Sequence, residues 1–449
     1  MKVAKFGGTS LASAEQIKKV CDIILSDEDR KIVVVSAPGK RHTEDIKVTD
    51  LLINCANKCL EKGCADSEKG LVVERYKEIA SELGISEDIA SVVECDLSQR
   101  LEADKSIEEK FVDCIKAAGE DNCAKLIAAY LRARGANATY VNPKDAGLLL
   151  SDEYGNARVL EESFDNLKRL RDKEGIIIFP GFFGYSKLGE VVTFPRGGSD
   201  ITGSILAASV SADVYENFSD VDSVFAANPN VVDNPTPIPV LTYREMRELS
   251  YAGFSVLHEE TLEPVYKKHI PVCIKNTNNP DSPGTLIVPE READNDIVAG
   301  IACDKGFCSI FISKYLMNRE IGFVRRVLNI IEDENLSYEH MPSGIDNVSV
   351  ILSQNQLDKN KEDRLLNRIR EELNVDDVSI EYDIALIMVV GEGMKHSVGV
   401  AARATNTFSY SGINIEMINQ GSSEVSMMYG VMAEDADKAV RALYNEFFE

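Results

Sequence analysis

Lys5-Phe6-Gly7-Gly8-Thr9-Ser10 closes an apolar opening run and stands just before a helical pattern. Met1 to Phe6 can form a short first strand. Ser13 to Leu25 carries Ile17, Val20, Ile24 and Leu25 at helical spacing, with Ser13 placed to cap the helix. Two glycines between strand and helix let main-chain N–H groups approach an anion with no Cβ in the way, and the helix start adds partial positive charge. Lys5 supplies a full charge beside them. A glycine pair alone is more often a tight turn; with the lysine, the strand and the helix around it, the stretch reads as a phosphate cradle.

From that cradle outward to about Glu290, apolar runs alternate with helical patterns: Ile32 to Val35, Leu51 to Leu60, Ala124 to Leu131, Ile176 to Phe179, Ile201 to Ala208 and Val256 to Tyr266. The alternation predicts an α/β fold with a largely parallel sheet. A charged stretch poor in strand formers, about 61–116, predicts an inserted helical layer. The chain has 449 residues, too many for one ordinary domain, and ten cysteines without paired C-x-x-C spacing or a histidine cluster, which favours free thiols of a cytoplasmic protein over a zinc site. No secretory signal precedes Lys5, and the strongest apolar run, Gly175 to Phe183, is broken by Pro180 and Gly181 and is far short of a membrane span. A net charge of −25, from 49 Lys+Arg against 74 Asp+Glu, argues against nucleic-acid and anionic-membrane partners. It leaves an anionic substrate open, because a few cations inside a cleft set the local field.

A second segment, Phe194-Pro195-Arg196-Gly197-Gly198-Ser199-Asp200, also follows an apolar run. Together the Lys-Phe-Gly-Gly-Thr-Ser opening and the Arg-Gly-Gly-Ser-Asp segment, in this order, resemble the aspartokinases of the amino acid kinase family. The resemblance implies an amino acid kinase-like sheet sandwiched by helices over 1–290.

Beyond an acidic linker candidate at 289–296 the sequence repeats itself. Gly322, Glu339, Gly344, Val348 and Ser349 recur as Gly399, Glu416, Gly421, Val425 and Ser426, at a constant displacement of 77 positions (322 to 399, 339 to 416). Each copy predicts a strand (Cys308 to Ile312; Ile384 to Val390) and a glycine opening a helix (Phe323 to Glu332; Val400 to Tyr410). A second strand (Ser337 to Met341; Ile413 to Ile418) and a third (Val348 to Leu352; Val425 to Val431) follow. This is a split β-α-β unit used twice. It resembles paired ACT domains, ferredoxin-like modules that bind amino acids, over 297–375 and 380–449, with strand 297–303 open to sharing with the second. Two such modules serve either as an effector site or as a dimerisation scaffold, and the resemblance implies a homodimer or homotetramer assembled through them.

The same resemblance implies ATP-dependent phosphorylation of the β-carboxylate of L-aspartate to 4-phospho-L-aspartate, the entry to lysine, threonine and methionine synthesis, with Mg2+ carried by the nucleotide. A carboxylate nucleophile is already ionised at neutral pH, so the chemistry needs positive charge and positioning rather than a general base. Lys5, Gly7, Gly8 and Ser10 would hold phosphate. Arg196, whose planar fork suits a carboxylate, would bind aspartate with Ser199, Thr49, Phe182 and Glu120, the last receiving the α-ammonium. Asp200 would orient Lys5, or else cap the helix near Ile201. Glu120 would otherwise be an exposed acid at a helix start, Lys5 a solvated lysine at a strand end, Thr49 a cap and Phe182 core. Ser219, Asp220, Phe225 and Asn230 match nucleotide-side positions. The chain departs there: Asn228-Pro229-Asn230 stands where the family commonly has Asp-Pro-Arg, and Ser255 where it has a lysine. Met317, Gly322, Tyr338 and Glu339 match a lysine-binding effector site, with lysine, threonine or both as inhibitors. The alternatives are another amino acid kinase, or an ACT-based sensor with a weak or inactive kinase domain. A fused homoserine dehydrogenase is set aside for want of a strand-linked G-x-G-x-x-G.

Overall fold

The computed structural model describes every residue except 86–87, 196, 255, 258, 292–296, 396 and 422–424. Strands β1 (Lys2–Phe6), β2 (Arg30–Val35), β3 (Ala138–Tyr140), β4 (Ile176–Pro180), β5 (Phe183–Tyr185), β6 (Val191–Thr193), β7 (Val214–Ser219), β8 (Val240–Thr242), β9 (Val272–Asn276) and β10 (Thr285–Val288) belong to the first part of the chain. All but β5 and β6, which form a two-stranded ribbon, build one sheet in the order β3-β4-β2-β1-β7-β9-β10-β8. From β3 through β9 every neighbour is parallel. The register sets Lys5 opposite Val34 on one side and Asn217 on the other. It also sets Val35 opposite Pro180 and Ser219 opposite Asn276. The turns that leave β1, β2, β4, β7 and β9 therefore meet at one end of the sheet, the carboxyl edge at which open parallel sheets bind ligands.

Helices α1 (Ala14–Leu25), α2 (Val48–Lys62), α3 (Asp66–Leu83), α4 (Asp88–Leu101), α5 (Glu108–Lys116), α6 (Ala118–Ala133), α7 (Pro143–Ala146), α8 (Glu162–Leu167), α9 (Gly198–Val210), α10 (Tyr243–Tyr251) and α11 (Leu262–Lys267) follow in chain order. Ser13 caps α1, its side chain accepting from the Gln16 N–H. The apolar run from Val256 to Tyr266 yields only the short α11, preceded by a tight turn at Glu259–Thr261. The 61–116 stretch is helical, as α3, α4 and α5. These helices join the main core: Tyr76 and Ile79 of α3 pack in one apolar cluster with Phe6 of β1, Val33 and Val35 of β2, Leu52 of α2 and Leu126 of α6. Phe6 and Phe218 stack across β1 and β7 at 4.8 Å. α9 packs against β1, β2 and β7.

By internal contacts the chain forms two units. The first comprises Met1–Val224, Pro237–Tyr243 and Ser255–Arg291, and the second takes in Phe225–Thr236 and Arg244–Phe254 as well as the C-terminal part from 292 on. In the second unit, β11 (Gly300–Ser313), α12 (Phe323–Asp333), β12 (Asn347–Ser353), α13 (Lys359–Leu373), β13 (Asp377–Val390), α14 (Val400–Tyr410), β14 (Met417–Asn419), β15 (Ser426–Met432) and α15 (Ala436–Phe448) form one antiparallel sheet, β12-β11-β13-β15-β14, with helices. Each helix-opening glycine, Gly322 and Gly399, sits in the left-handed region at φ 76° and 94°, a conformation that favours glycine.

Two features of the repeat differ from the sequence expectation. β11 and β13 are longer than the runs that announced them and pair from Gly300–Val390 to Ser313–Asp377, so the two repeats share one continuous sheet. Ser337 to Met341, expected as a strand, makes only an isolated bridge between His340 and Ile351. Pro342, with no N–H to donate, follows that bridge. The matching strand of the second copy is shorter than expected, Met417–Asn419. Among the described residues no helix is long and apolar enough to cross a membrane.

Candidate active site

The cradle forms where β1 stops. Gly7 N–H donates to Phe218 O at 3.0 Å, and Gly8 O accepts from Gly39 N–H at 2.8 Å. A methyl group on Gly39 would lie 2.6 Å from the carbonyl carbon of Gly8, and one on Gly8 would lie 3.0 Å from Ala37 O. The turn after β1 and the turn after β2 are thus in backbone contact, and only glycine lets them close this far. Ser10 Oγ shares a 2.7 Å hydrogen bond with Thr277 Oγ1, and Thr277 N–H donates to Ser219 O at 2.9 Å, joining the turns after β1, β7 and β9.

Lys5 is 7% exposed and its ammonium ion-pairs with the Asp200 carboxylate. Asp200 Oδ1 also accepts from Asn217 Nδ2 at 2.8 Å. A cap role for Asp200 does not apply: α9 is capped by Gly197, at φ 82°, and Asp200 lies inside its first turn. A solvated lysine does not describe Lys5 either. Ser199 is buried beside the turn after β4, where a methyl group on Gly181 would lie 2.7 Å from Ser199 Oγ. Phe182 holds a left-handed φ of 73°, its N–H donates to Thr202 Oγ1 at 3.1 Å, and Lys116 Nζ lies 5.8 Å from its ring centre.

Glu120 is 5% exposed, not the surface acid that a helix start would offer. Its Oε1 accepts from Ala37 N–H at 3.0 Å, while its buried Oε2 has no hydrogen-bond partner. Burial pushes its carboxyl up to about 7, opposed by the Ala37 hydrogen bond and the charges of Lys116 and Lys47. A buried carboxylate oxygen without a donor is costly unless a cation meets it. Gly119 lets α6 approach: a methyl there would lie 2.8 Å from Ala37 Cβ and 3.2 Å from Leu52 Cδ1. Thr49, half-buried, stands in the first turn of α2, which Lys47 and not a threonine caps; Val48 N–H donates to Pro38 O at 3.0 Å.

The structure therefore brings Lys5, Gly7, Gly8, Ser10, Phe182 and Ser219, at strand ends and the turns beyond them, together with Ser199 and Asp200 at the start of α9, to the carboxyl edge of the sheet, and Glu120 at the start of α6 to the turn after β2. Arg196 and Ser255 lie outside the described residues. Asp220 follows β7, where its carbonyl accepts a 3.4 Å bond from Asn276 Nδ2. Phe225 and Asn230 fall in the segment that groups with the second unit; Asn230 is exposed and its N–H donates to Asn228 Oδ1 at 2.9 Å. Sequence reasoning missed Gly39, Asn217 and Thr277. A Pro-Gly pair in the turn after the buried strand β2 and a polar residue within the apolar strand β7 were the available signals.

The effector candidates lie in the second unit. Met317 is buried in the core of the first repeat with Phe323 and Val327. Gly322 opens α12, Tyr338 lines a 470 Å³ cavity with Leu328, Ile331 and Gln356, and Glu339 accepts a hydrogen bond from the Tyr251 hydroxyl of α10.

A glycine turn carrying a paired lysine at the carboxyl edge of a parallel sheet, with a buried carboxylate at the neighbouring turn, suits a kinase of small anionic acceptors. A family model described as the amino acid kinase family matches residues 1–276, and one described as an ACT domain matches 387–447. The chain is 59% identical over 448 residues to aspartokinase 3 of Bacillus subtilis (strain 168), covering 100% of this chain and 99% of that one. It matches the crystal structure of Clostridium acetobutylicum aspartate kinase at 40% identity and TM-score 0.90, with 100% of both chains covered. It matches Escherichia coli aspartokinase III in complex with lysine and aspartate, a T-state, at 25% identity and TM-score 0.79, again over 100% of both chains. The chain belongs to the amino acid kinase family, within its aspartokinase branch.

Proposed function

We propose that the chain transfers the γ-phosphoryl group of ATP to the β-carboxylate of L-aspartate, giving 4-phospho-L-aspartate and ADP. The observation that carries the reading is the Glu120 oxygen, buried and unpartnered against the turn after β2, which itself closes on the turn that follows Lys5. An α-ammonium meeting Oε2 would satisfy the one and leave the acceptor carboxylate to be drawn toward the cations. Lys5, held by Asp200, would neutralise charge on the transferring group, and the Gly7–Gly8 turn would hold phosphate oxygens against Gly39. Arg196 would grip the substrate's α-carboxylate, beside Ser199, Thr49 and Phe182. Mg2+ would arrive with the nucleotide, ligated mainly by phosphate and water, and supply further positive charge. Phe225 and Asn230, with Ser219 and Asp220, are assigned to the nucleotide side on resemblance alone.

Lysine is the proposed effector, supported by the Escherichia coli enzyme's complex with lysine, with Glu339 as partner of its ε-ammonium and the start of α12 at Gly322 receiving its carboxylate. Threonine remains the competing effector, and pairing of the ACT units between subunits gives the proposed homodimer or homotetramer. The test is ADP release with aspartate, with glutamate and without an acceptor. Aspartate-dependent release supports the reading; release equal in all three overturns it.

A further inference from the structure

Glu120 is flanked by residues that the inserted helices grip one by one. Tyr76 of α3, fully buried, donates its hydroxyl to Gly119 O at 2.6 Å. Arg100 of α4 donates to Asp121 Oδ2 at 2.9 Å, and Asn122 Nδ2 donates to Asp96 Oδ2, also of α4, at 2.9 Å. Asp121 is further held by Lys125 and by the Tyr140 hydroxyl. Of the residues 119–122 only Glu120 turns away from the insertion, toward Ala37 N–H, with Oε2 left over.

The arrangement has a physical logic. A small rotation of α6 about its axis would carry Oε1 off the Ala37 N–H and move Oε2 from the place where an ammonium must arrive. The first turn of a helix is its least secured part, because its own N–H groups have no partners within the helix. Side chains from α3 and α4 anchor this turn from outside, through the Gly119 carbonyl and the side chains of Asp121 and Asn122. Among the described residues the polar contacts of the cradle run elsewhere, Lys5 to Asp200 and Gly8 to Gly39, with no hydrogen bond or ion pair to Tyr76, Asp96 or Arg100.

We infer that the inserted helices α3 and α4 set the affinity for the amino-acid substrate, with Tyr76, Asp96 and Arg100 as positioning residues for Glu120. The inference rests on the reading of Glu120 as receiver of the substrate's ammonium. Steady-state kinetics of the full chain test it, varying aspartate and MgATP separately in Tyr76→Phe, which removes one hydroxyl, and Asp96→Asn, which keeps shape and removes charge. Each is expected to raise the aspartate KM about threefold to tenfold, the worth of one net hydrogen bond, with kcat and the ATP KM unchanged. An unchanged aspartate KM, equal increases for both substrates, or failure of both variants to fold would overturn the inference, the last by assigning these contacts to stability. Glu120→Gln separates the two levels. If it leaves the aspartate KM unaltered, the reading of Glu120 fails and the inference with it; if it raises that KM while Tyr76→Phe and Asp96→Asn do not, only the inference fails.

Discussion

The Asp200 carboxylate, one turn into α9, reaches across to the ammonium of Lys5 on β1 and holds it inside the carboxyl edge of the sheet. A lysine so paired is fixed in place before a nucleotide arrives, and its charge is partly offset until phosphate competes for it. Lys5→Met keeps the apolar stem and removes the charge. Turnover is expected to fall at least about a hundredfold, with aspartate binding retained by calorimetry. Asp200→Asn is expected to lower turnover less. Near-wild-type turnover in Lys5→Met would remove Lys5 from the chemistry.

Glu120 ties substrate affinity to pH. The charged form is needed to meet an ammonium, and the free protein's carboxyl sits at about 7. The aspartate KM is therefore expected to fall as pH rises through about 7, and this dependence is expected to vanish in Glu120→Gln. A pH series at saturating MgATP measures it.

The same residue costs stability. Its folded-state value lies above the ordinary 4.5, so the stabilising protonated form is fully present below about 4.5 and lost as pH rises through about 7. A shift of this size corresponds to about 3 kcal/mol as an order of magnitude. Glu120→Gln is thus expected to unfold at a higher temperature than wild type at pH 8, while at pH 5 the two converge. Thermal unfolding at the two pH values reads the difference.

Gly39 offers a purely steric test. A methyl group there would press on the Gly8 backbone at 2.6 Å and 2.7 Å, and backbone cannot yield as a flexible side chain can. Gly39→Ala is expected to lower kcat/KM for ATP about a hundredfold by displacing the cradle, with the aspartate KM moving much less. Equal loss for both substrates would mean that the whole edge had shifted.

For the effector site, the Tyr251 hydroxyl already bonds Glu339. If lysine's ε-ammonium uses that carboxylate, Tyr251→Phe removes a competing donor and is expected to lower the lysine concentration needed for half inhibition, while Glu339→Ala abolishes lysine inhibition. Inhibition titrated with lysine, threonine and their mixture decides between effectors, and unchanged lysine inhibition in Glu339→Ala would refute the site.

Much of this is legible in the sequence. The Lys5–Ser10 stretch, the helix after Ser13 and the 77-residue repeat are local patterns, and local patterns survive in sequence. What could not be read was whatever depends on a partner distant in the chain. Glu120 meets Ala37, far back in the chain, and its neighbours Gly119, Asp121 and Asn122 are held by α3 and α4, which the sequence shows only as a charged helical stretch. The displaced edge strand at Ser337 to Met341 had the right residues but lost its ladder beside Pro342. The length of β11 and β13 was hidden because polar positions such as Asp304, Lys305 and Glu381 interrupt the apolar runs from which the shorter strands are read.

Those two long strands carry a consequence for engineering. A cut between the repeats would pass through paired backbone rather than through a tether, leaving each half with a raw edge of unpaired amide groups, the feature that invites aggregation. Swapping one regulatory module for another, to retune an enzyme's response, therefore means transplanting the pair as a single cassette.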